Sequence, residues 1–262
     1  MKGTRAPARR SAALSAYVLH HYDWSESSLI LDLFTREQGR VVAVAKGAKR
    51  PYSQLRAVLL PLQRVSVVLG HGPGGDDGAA EVHTLRSAEF GGGAPMPGGA
   101  AVIPGLYLNE LVMKLLARHD PHPALFDAYA RALVELGDGG DDAAVQGALR
   151  AFELTLLREI GLLPDLRLET ATQRALQPSG AYTLHAETGL VPAGGDDPAL
   201  AATAWIDLQG ALDAAPTGAL GAACREHRVA LRAVLRQVLH YHLGTSRLRT
   251  RVVMQGVQRL LE

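Results

Sequence analysis

The 262-residue sequence predicts an α+β protein in two parts, a small β-barrel followed by a helical domain. Three observations predict it. The first 90 residues carry five short runs rich in Val, Leu and Tyr, several with the two-residue alternation of a half-buried strand. Residues 91–101, GGGAPMPGGAA, are too rich in Gly and Pro for either a strand or a helix. Beyond them the apolar period becomes that of helices. The predicted layout is a barrel over 1–90 with a basic N-terminal tail, a linker over 91–101, and a helical domain over 102–262.

The strand candidates are LSAYVLHHY, SLILDLFTR, GRVVAVAKG, LPLQRVSVVLG and AAEVHTLRSAE. In the third, Val42 and Val44 face one way and Val41, Ala43 and Ala45 the other. EQGR and the Gly-rich GHGPGGDDG supply turns. Closing five short strands into a barrel removes exposed sheet edges. An oligonucleotide-binding (OB) barrel has this strand count and size, and so has an SH3-like barrel.

In the helical part, IPGLYLNELVMKLLARH places Ile103, Leu106, Leu111 and Leu115 on a broad apolar face. HPALFDAYARALVELG has Pro123 in its first turn and Gly137 at its end. DDAAVQGALRAFELTLLREIG opens with Asp142 as the expected N-cap and closes at Gly161. GALGAACREHRVALRAVLRQVLHYHLG reads as one long helix, followed by a shorter terminal one. Residues 164–195 read as irregular, with AYTLHAETGLV resembling a hairpin.

Composition bounds the function. A hydrophobic content of 47% with 20% charged residues is globular. No stretch approaches 18 uninterrupted apolar residues, and only the short LSAYVL follows the basic start, so neither a membrane span nor a signal peptide is expected. The single cysteine, Cys224, excludes an intramolecular disulfide and a four-cysteine zinc site. A cytoplasmic protein is expected. The net charge of +1 hides a segregation of sign. Residues 1–64 hold 11 Lys/Arg against 4 acids, and 225–262 hold 8 against 2, while the middle has 8 against 20. Two basic ends around an acidic middle are the electrostatic footprint of a polyanion binder.

Catalytic signatures are missing. The KGAKR segment lacks phosphate-loop spacing, and there is no Gly-x-Ser-x-Gly elbow. His119 and His122 fall in an inter-helix turn, and His240 and His242 lie on different faces of a helix; neither pair implies a third metal ligand. Cys224 reads as a small helix residue. No catalytic residue, metal or cofactor is expected. What remains is binding. VAKGAKRP ends a strand in Lys46, Lys49 and Arg50, with no acid between Glu37 and Asp76. These three, helped by Arg36, Arg40 and Arg56, are expected to contact the phosphates of a single-stranded nucleic acid, with Tyr17, Tyr22, Trp24, Phe34 and Tyr52 available to stack bases. About half of those rings are expected to be core. Arg225, Arg228, Arg232 and Arg236 recur at helical spacing and predict a second basic stripe, with Arg247, Arg249 and Arg251 beyond it.

Several segments resemble a known family. YVLHHYDWSESSLILDLFTREQGRVVAVAKGAKRP, then LRSAEF, GLYLNELVMKLL, PALFDAY and LRAFELTLLREIG, in this order and spacing, are similar to RecO, bacterial recombination-mediator and DNA-repair proteins. The likeness runs from about Ser15 to Gly161 and returns around LGTSRLRTR. It implies an N-terminal OB barrel, a helical C-terminal domain, no catalysis, and work on single- and double-stranded DNA in the cytoplasm at the nucleoid. The implied partners are the acidic C-terminal tail of single-stranded-DNA-binding protein (SSB), RecR and, indirectly, RecA. Many members carry a four-cysteine zinc site after the Leu-Pro-Asp-Leu stretch; residues 164–195 contain no cysteine, so zinc is not carried over. Capture of the SSB tail needs an apolar pocket beside a fixed cation. LRAFELTLL offers Leu149, Phe152 and Leu156 beside Arg150, with Arg131 as an accessory. The competing expectations are a non-catalytic OB-fold adaptor for protein or RNA and, more distantly, a metal-dependent hydrolase using the histidine pairs.

Overall fold

The computed structural model describes residues 12–70, 82–214, 218–244, 248–250 and 252–253. It contains two compact units, Met1–Gly93 with Arg118–Pro121, and Ala94–Ala117 with His122–Glu262.

The first unit is a closed barrel of β1 (Leu14–Asp23), β2 (Leu29–Thr35), β3 (Gly39–Ala45), β4 (Arg64–Gly70) and β5 (His83–Phe90), hydrogen-bonded in the order β1-β2-β3-β5-β4. All pairings are antiparallel except β3 with β5, which closes the barrel in parallel through Ala43–His83 and Val44–Thr84. This five-stranded crossing topology is the OB fold. The strand count alone could not separate it from an SH3-like barrel. Alternation puts Leu14, Ala16 and Val18 of β1, Leu31 and Leu33 of β2, and Val41, Ala43 and Ala45 of β3 into one interior cluster. A bulge between Val18 and His20 shifts the phase of β1. After it His20 and Tyr22 stand opposite Asp32 and Ile30, on the face away from the interior Leu31. Residues 118–121 lie on the β2–β3 turn: His119 N donates to Arg40 O at 3.0 Å. Gly39 has φ +68°, and a Cβ there would stand 2.0 Å from Asp120 O, so both conformation and space demand glycine.

In the second unit, α2 (Val102–Leu115), α3 (Pro123–Gly137), α4 (Asp142–Glu159), α5 (Ala202–Asp213), α6 (Ala219–Glu226) and α7 (Arg228–Leu243) accompany a three-stranded sheet, β6 (Ala181–His185), β7 (Gly189–Pro192) and β8 (Leu200–Ala201). A four-residue helix in the barrel unit, α1 (Leu55–Val58), precedes them in the chain. The cap of α4 differs from the expectation. Asp141 is the N-cap, accepting from Ala144 N at 2.8 Å, and Asp142 is a first-turn acid favoured by the helix dipole. At the other end Gly161 (φ +74°) closes a Schellman motif, with Leu162 N donating to Leu157 O and Gly161 N to Arg158 O. The predicted long helix is also corrected. It breaks at His227 (φ −105°, ψ 18°) into α6 and α7. α4 and α6 touch backbone to backbone, since a Cβ on Gly147 would lie 2.8 Å from Gly221 O. On α2 the buried residues are Leu108, Leu111 and Val112 with polar Asn109 and Glu110; of the expected stripe Leu111 is fully buried, and Ile103, Leu106 and Leu115 are half-buried.

Residues 164–195 are ordered by hydrogen bonds. β6 and β7 form the expected hairpin, and Thr170 clamps it through Leu190 N to its Oγ1 at 2.8 Å and its own N to Leu190 O at 2.8 Å. Trp205 Nε1 donates to Tyr182 O, and Gln209 Oε1 accepts from Leu166 N. Without a cysteine in the segment, the donor set does not fit a thiolate zinc site.

Candidate nucleic-acid interface and anion pocket

β3 ends in a turn carrying Lys46, Lys49 and Arg50. Lys46 and Arg50 are exposed and Lys49 is half-buried. The turn lies against the β1–β2 loop: Lys49 N donates to Ser27 O and its Nζ to Ser25 O, each at 3.0 Å. That loop carries Trp24, 64% exposed, beside Tyr22 at 44%, while Tyr52, 98% exposed, follows the basic turn. Rings and cations thus converge at one end of the barrel. Tyr17 and Phe34, at 6% and 0% exposure, are packing residues.

The six predicted phosphate contacts do not form one patch. Arg40 is bound by the buried Asp32 across the β2–β3 pairing, Nε to Oδ1 at 2.8 Å and Nη2 to Oδ2 at 2.7 Å. That hydrogen-bonded pairing raises the Arg40 pKa and neutralises its charge locally. Exposed Arg36 precedes β3 whereas Lys46 follows it, so a seven-residue strand, about 23 Å long, separates them. Exposed Arg56 belongs with the basic turn, to which Ser53 N links it by donating to Arg50 O. Lys49 also has an acid partner that sequence distance concealed: Asp23, at the end of β1, lies 3.1 Å from its Nζ. Asp23 is exposed, and a pair of this kind is weak and easily exchanged for a phosphate.

In the helical unit Arg225 stands on α6 and Arg228, Arg232 and Arg236 on α7; all four are exposed. The helix break divides the stripe without burying it. Arg247 lies outside the described residues.

A cavity of about 420 Å³ opens beside α7. Its apolar walls include Ile103 and Pro104 of α2 and Val145 and Leu149 of α4, and its cations are Arg150 and Arg232. Arg150 is 6% exposed. One Nη2 contact, 2.7 Å to Glu153 Oε1, fixes it from the core side, and Tyr107 OH donates to the same oxygen at 2.6 Å. Its Nε has no hydrogen-bond partner among the described residues. The site is therefore a buried, braced guanidinium beside apolar walls.

Of the predicted pocket residues, Leu149 and Arg150 line this cavity. Phe152 and Leu156, at 1% and 0% exposure, pack into the core instead. Arg131 borders a separate cavity of about 40 Å³ with Glu135, and Phe152 also lines that cavity. The reason is position along the helix: Phe152 and Leu156 share the phase of Val145 and Leu149 but lie roughly one to two turns further towards the C-terminal end of α4, where that face meets the core. The Val145–Leu149 spacing was the overlooked local signal. Ile103, Tyr107 and Arg232 come from other helices, and no local pattern joins them. The histidines also part company. His119 stacks edgewise on His83 with centroids 5.6 Å apart, and His122 Nδ1 lies 3.4 Å from Glu159. No group of three His, Cys, Asp or Glu side chains suited to a metal occurs among the described residues. Burial pushes the Cys224 thiol pKa far up, which keeps it protonated and unreactive.

Barrel topology and appended helices define an OB-fold protein with a helical C-terminal domain. Residues 11–88 match the N-terminal family of recombination protein O, and residues 99–251 match the C-terminal family. The chain belongs to the RecO family of DNA repair proteins. It is 51% identical to the DNA repair protein RecO of Polaromonas sp. strain JS666, over 94% of this chain and 96% of that one. It is 51% identical to the RecO of Acidovorax ebreus, over 97% and 99%, and 50% identical to that of Variovorax paradoxus, over 97% and 100%.

Proposed function

We propose that the chain is a non-catalytic recombination mediator that binds and anneals single-stranded DNA and docks on SSB through the helical-domain pocket. In this reading the barrel holds a strand on Lys46, Lys49, Arg50 and Arg56, with Trp24, Tyr22 and Tyr52 as stacking surfaces, and the α6–α7 arginines hold a second strand. The pocket takes the acidic SSB tail. The tail's terminal carboxylate meets Arg150, and its apolar end packs on Ile103, Pro104, Val145 and Leu149. Family membership further supports RecR as a partner and delivery of RecA to the strand as the outcome.

The observation that carries this reading is Arg150, 6% exposed and braced by Glu153, on the wall of an apolar cavity. A charge-assisted hydrogen bond at such a site is worth about 1.5–3 kcal/mol. A labelled acidic peptide with an apolar C-terminus is expected to bind through its free carboxylate, and the amidated peptide to bind at least about tenfold more weakly. Equal binding of the two peptides, or unchanged binding to Arg150→Lys, refutes the assignment.

A further inference from the structure

Two anion-binding features of the helical unit meet at one side chain. Arg232 lines the cavity that holds Arg150, and it is also the middle member of the exposed series Arg228, Arg232 and Arg236 on α7. At 1.5 Å rise per residue, successive members of the series are about 6 Å apart along the helix axis. Each neighbour therefore lies within the Debye length of about 8–10 Å from Arg232. A negative ligand seated in the cavity is electrostatically part of the α7 surface.

We infer that Arg232 couples the pocket and the α7 stripe antagonistically: an acidic peptide in the cavity and a nucleic-acid phosphate on the stripe weaken one another at one shared guanidinium. This rests on the pocket reading above and adds its regulation. A guanidinium has enough donors for two anions, but two anions held on it are close neighbours and repel one another. The peptide also brings acidic residues beyond its terminal carboxylate, and these add to the negative charge near the α7 arginines. The cost is reciprocal, because a coupling free energy acts equally on both ligands. DNA arriving on the stripe loosens the peptide by the same factor by which the peptide loosens DNA. Such a device hands the protein from its docking site to the strand without any movement of the backbone.

The test uses the full chain, a fluorescent acidic peptide with a free apolar C-terminus, and an unlabelled oligonucleotide. Peptide affinity is titrated with and without saturating oligonucleotide, and oligonucleotide affinity with and without saturating peptide. The wild type is expected to show the same factor in both directions, about fivefold or more. Saturating peptide is expected to lower the slope of log DNA affinity against log salt by about one unit, the share of one phosphate contact. In Arg232→Gln both ligands bind more weakly and the coupling factor falls to about one, the value for independent sites. Independent binding in the wild type overturns the inference while leaving the pocket intact, as does undiminished coupling in Arg232→Gln. Peptide binding that ignores both amidation and Arg150→Lys overturns the pocket reading and this inference with it.

Discussion

The basic turn of the barrel and the arginine of the helical pocket present the same charge in opposite ways. Lys46 and Arg50 stand in water at the end of β3, whereas Arg150 is 6% exposed and braced by Glu153 and Tyr107. Exposed cations recognise a polymer. Each releases counterions when it meets a phosphate, contributions accumulate, and none demands an exact position. A buried cation recognises a single group. Its desolvation is offset by Glu153, its direction is fixed, and only an anion that reaches it from the cavity gains from it. The first design gives reach and salt dependence, and the second gives selectivity and resistance to salt.

The strongest way to break this contrast is Arg150→Ala. It strands the wholly buried Glu153, so a loss of about 3–5 kcal/mol of stability is expected in urea unfolding, substantially recovered in the double variant with Glu153→Gln. A change below 1 kcal/mol would place Arg150 among surface arginines. On the barrel, the Lys46→Ala/Lys49→Ala/Arg50→Ala triple variant is expected to lower the salt slope of DNA affinity by about 2 to 3 units with unfolding unchanged; an unaltered slope moves the strand elsewhere. Removing the ring in Trp24→Ala is expected to cost about 1–3 kcal/mol of single-strand affinity. The wild type reports this directly, because Trp205 is fully buried and Trp24 is the exposed tryptophan, so quenching by oligonucleotide reads the barrel.

Two smaller effects sharpen the contrast. Burial raises the Glu110 pKa, but hydrogen bonds from Thr250 N, Arg249 N and Thr250 Oγ1, with Lys114 nearby, outweigh it and hold the carboxyl below its usual value. A depressed folded pKa contributes stability that is present above the unfolded value and lost as pH falls through the folded one. Stability of the wild type should therefore fall faster than that of Glu110→Gln on acidification below the ordinary carboxylate pKa, as followed by thermal unfolding across pH. Parallel curves would show that the carboxylate does not hold Thr250, a wall of the pocket. Last, Asp23→Asn removes the acid beside Lys49 and is expected to raise DNA affinity only a few-fold, the scale of an exposed pair. A larger gain would mean that Asp23 gates the site.

Much of the barrel was legible in the chain because its information is local. Two-residue alternation around Val41–Ala45 names the interior face, Gly39 marks a turn that only glycine fits, and Lys46, Lys49 and Arg50 follow one another in sequence. Helix ends were legible for the same reason, to within a residue at Asp141. The break at His227 was not, since Arg228–Leu243 continues the periodicity of the helix before it and the local residues carry neither Gly nor Pro to announce a stop.

What the sequence by itself determined was therefore composition within each element: where apolar residues and charge gather, and that a cation sits among apolar residues in LRAFELTLL. Tertiary structure alone decided which of those charges remain available. Asp32 reaches Arg40 from the next strand, Asp23 reaches Lys49 across a loop, and the cavity at Arg150 is assembled from α2, α4 and α7, nearly a hundred and thirty positions apart from Ile103 to Arg232. The physical reason is range. Secondary structure and capping depend on neighbours within a few residues, whereas ion pairing and desolvation depend on distance through space, which the chain order does not encode.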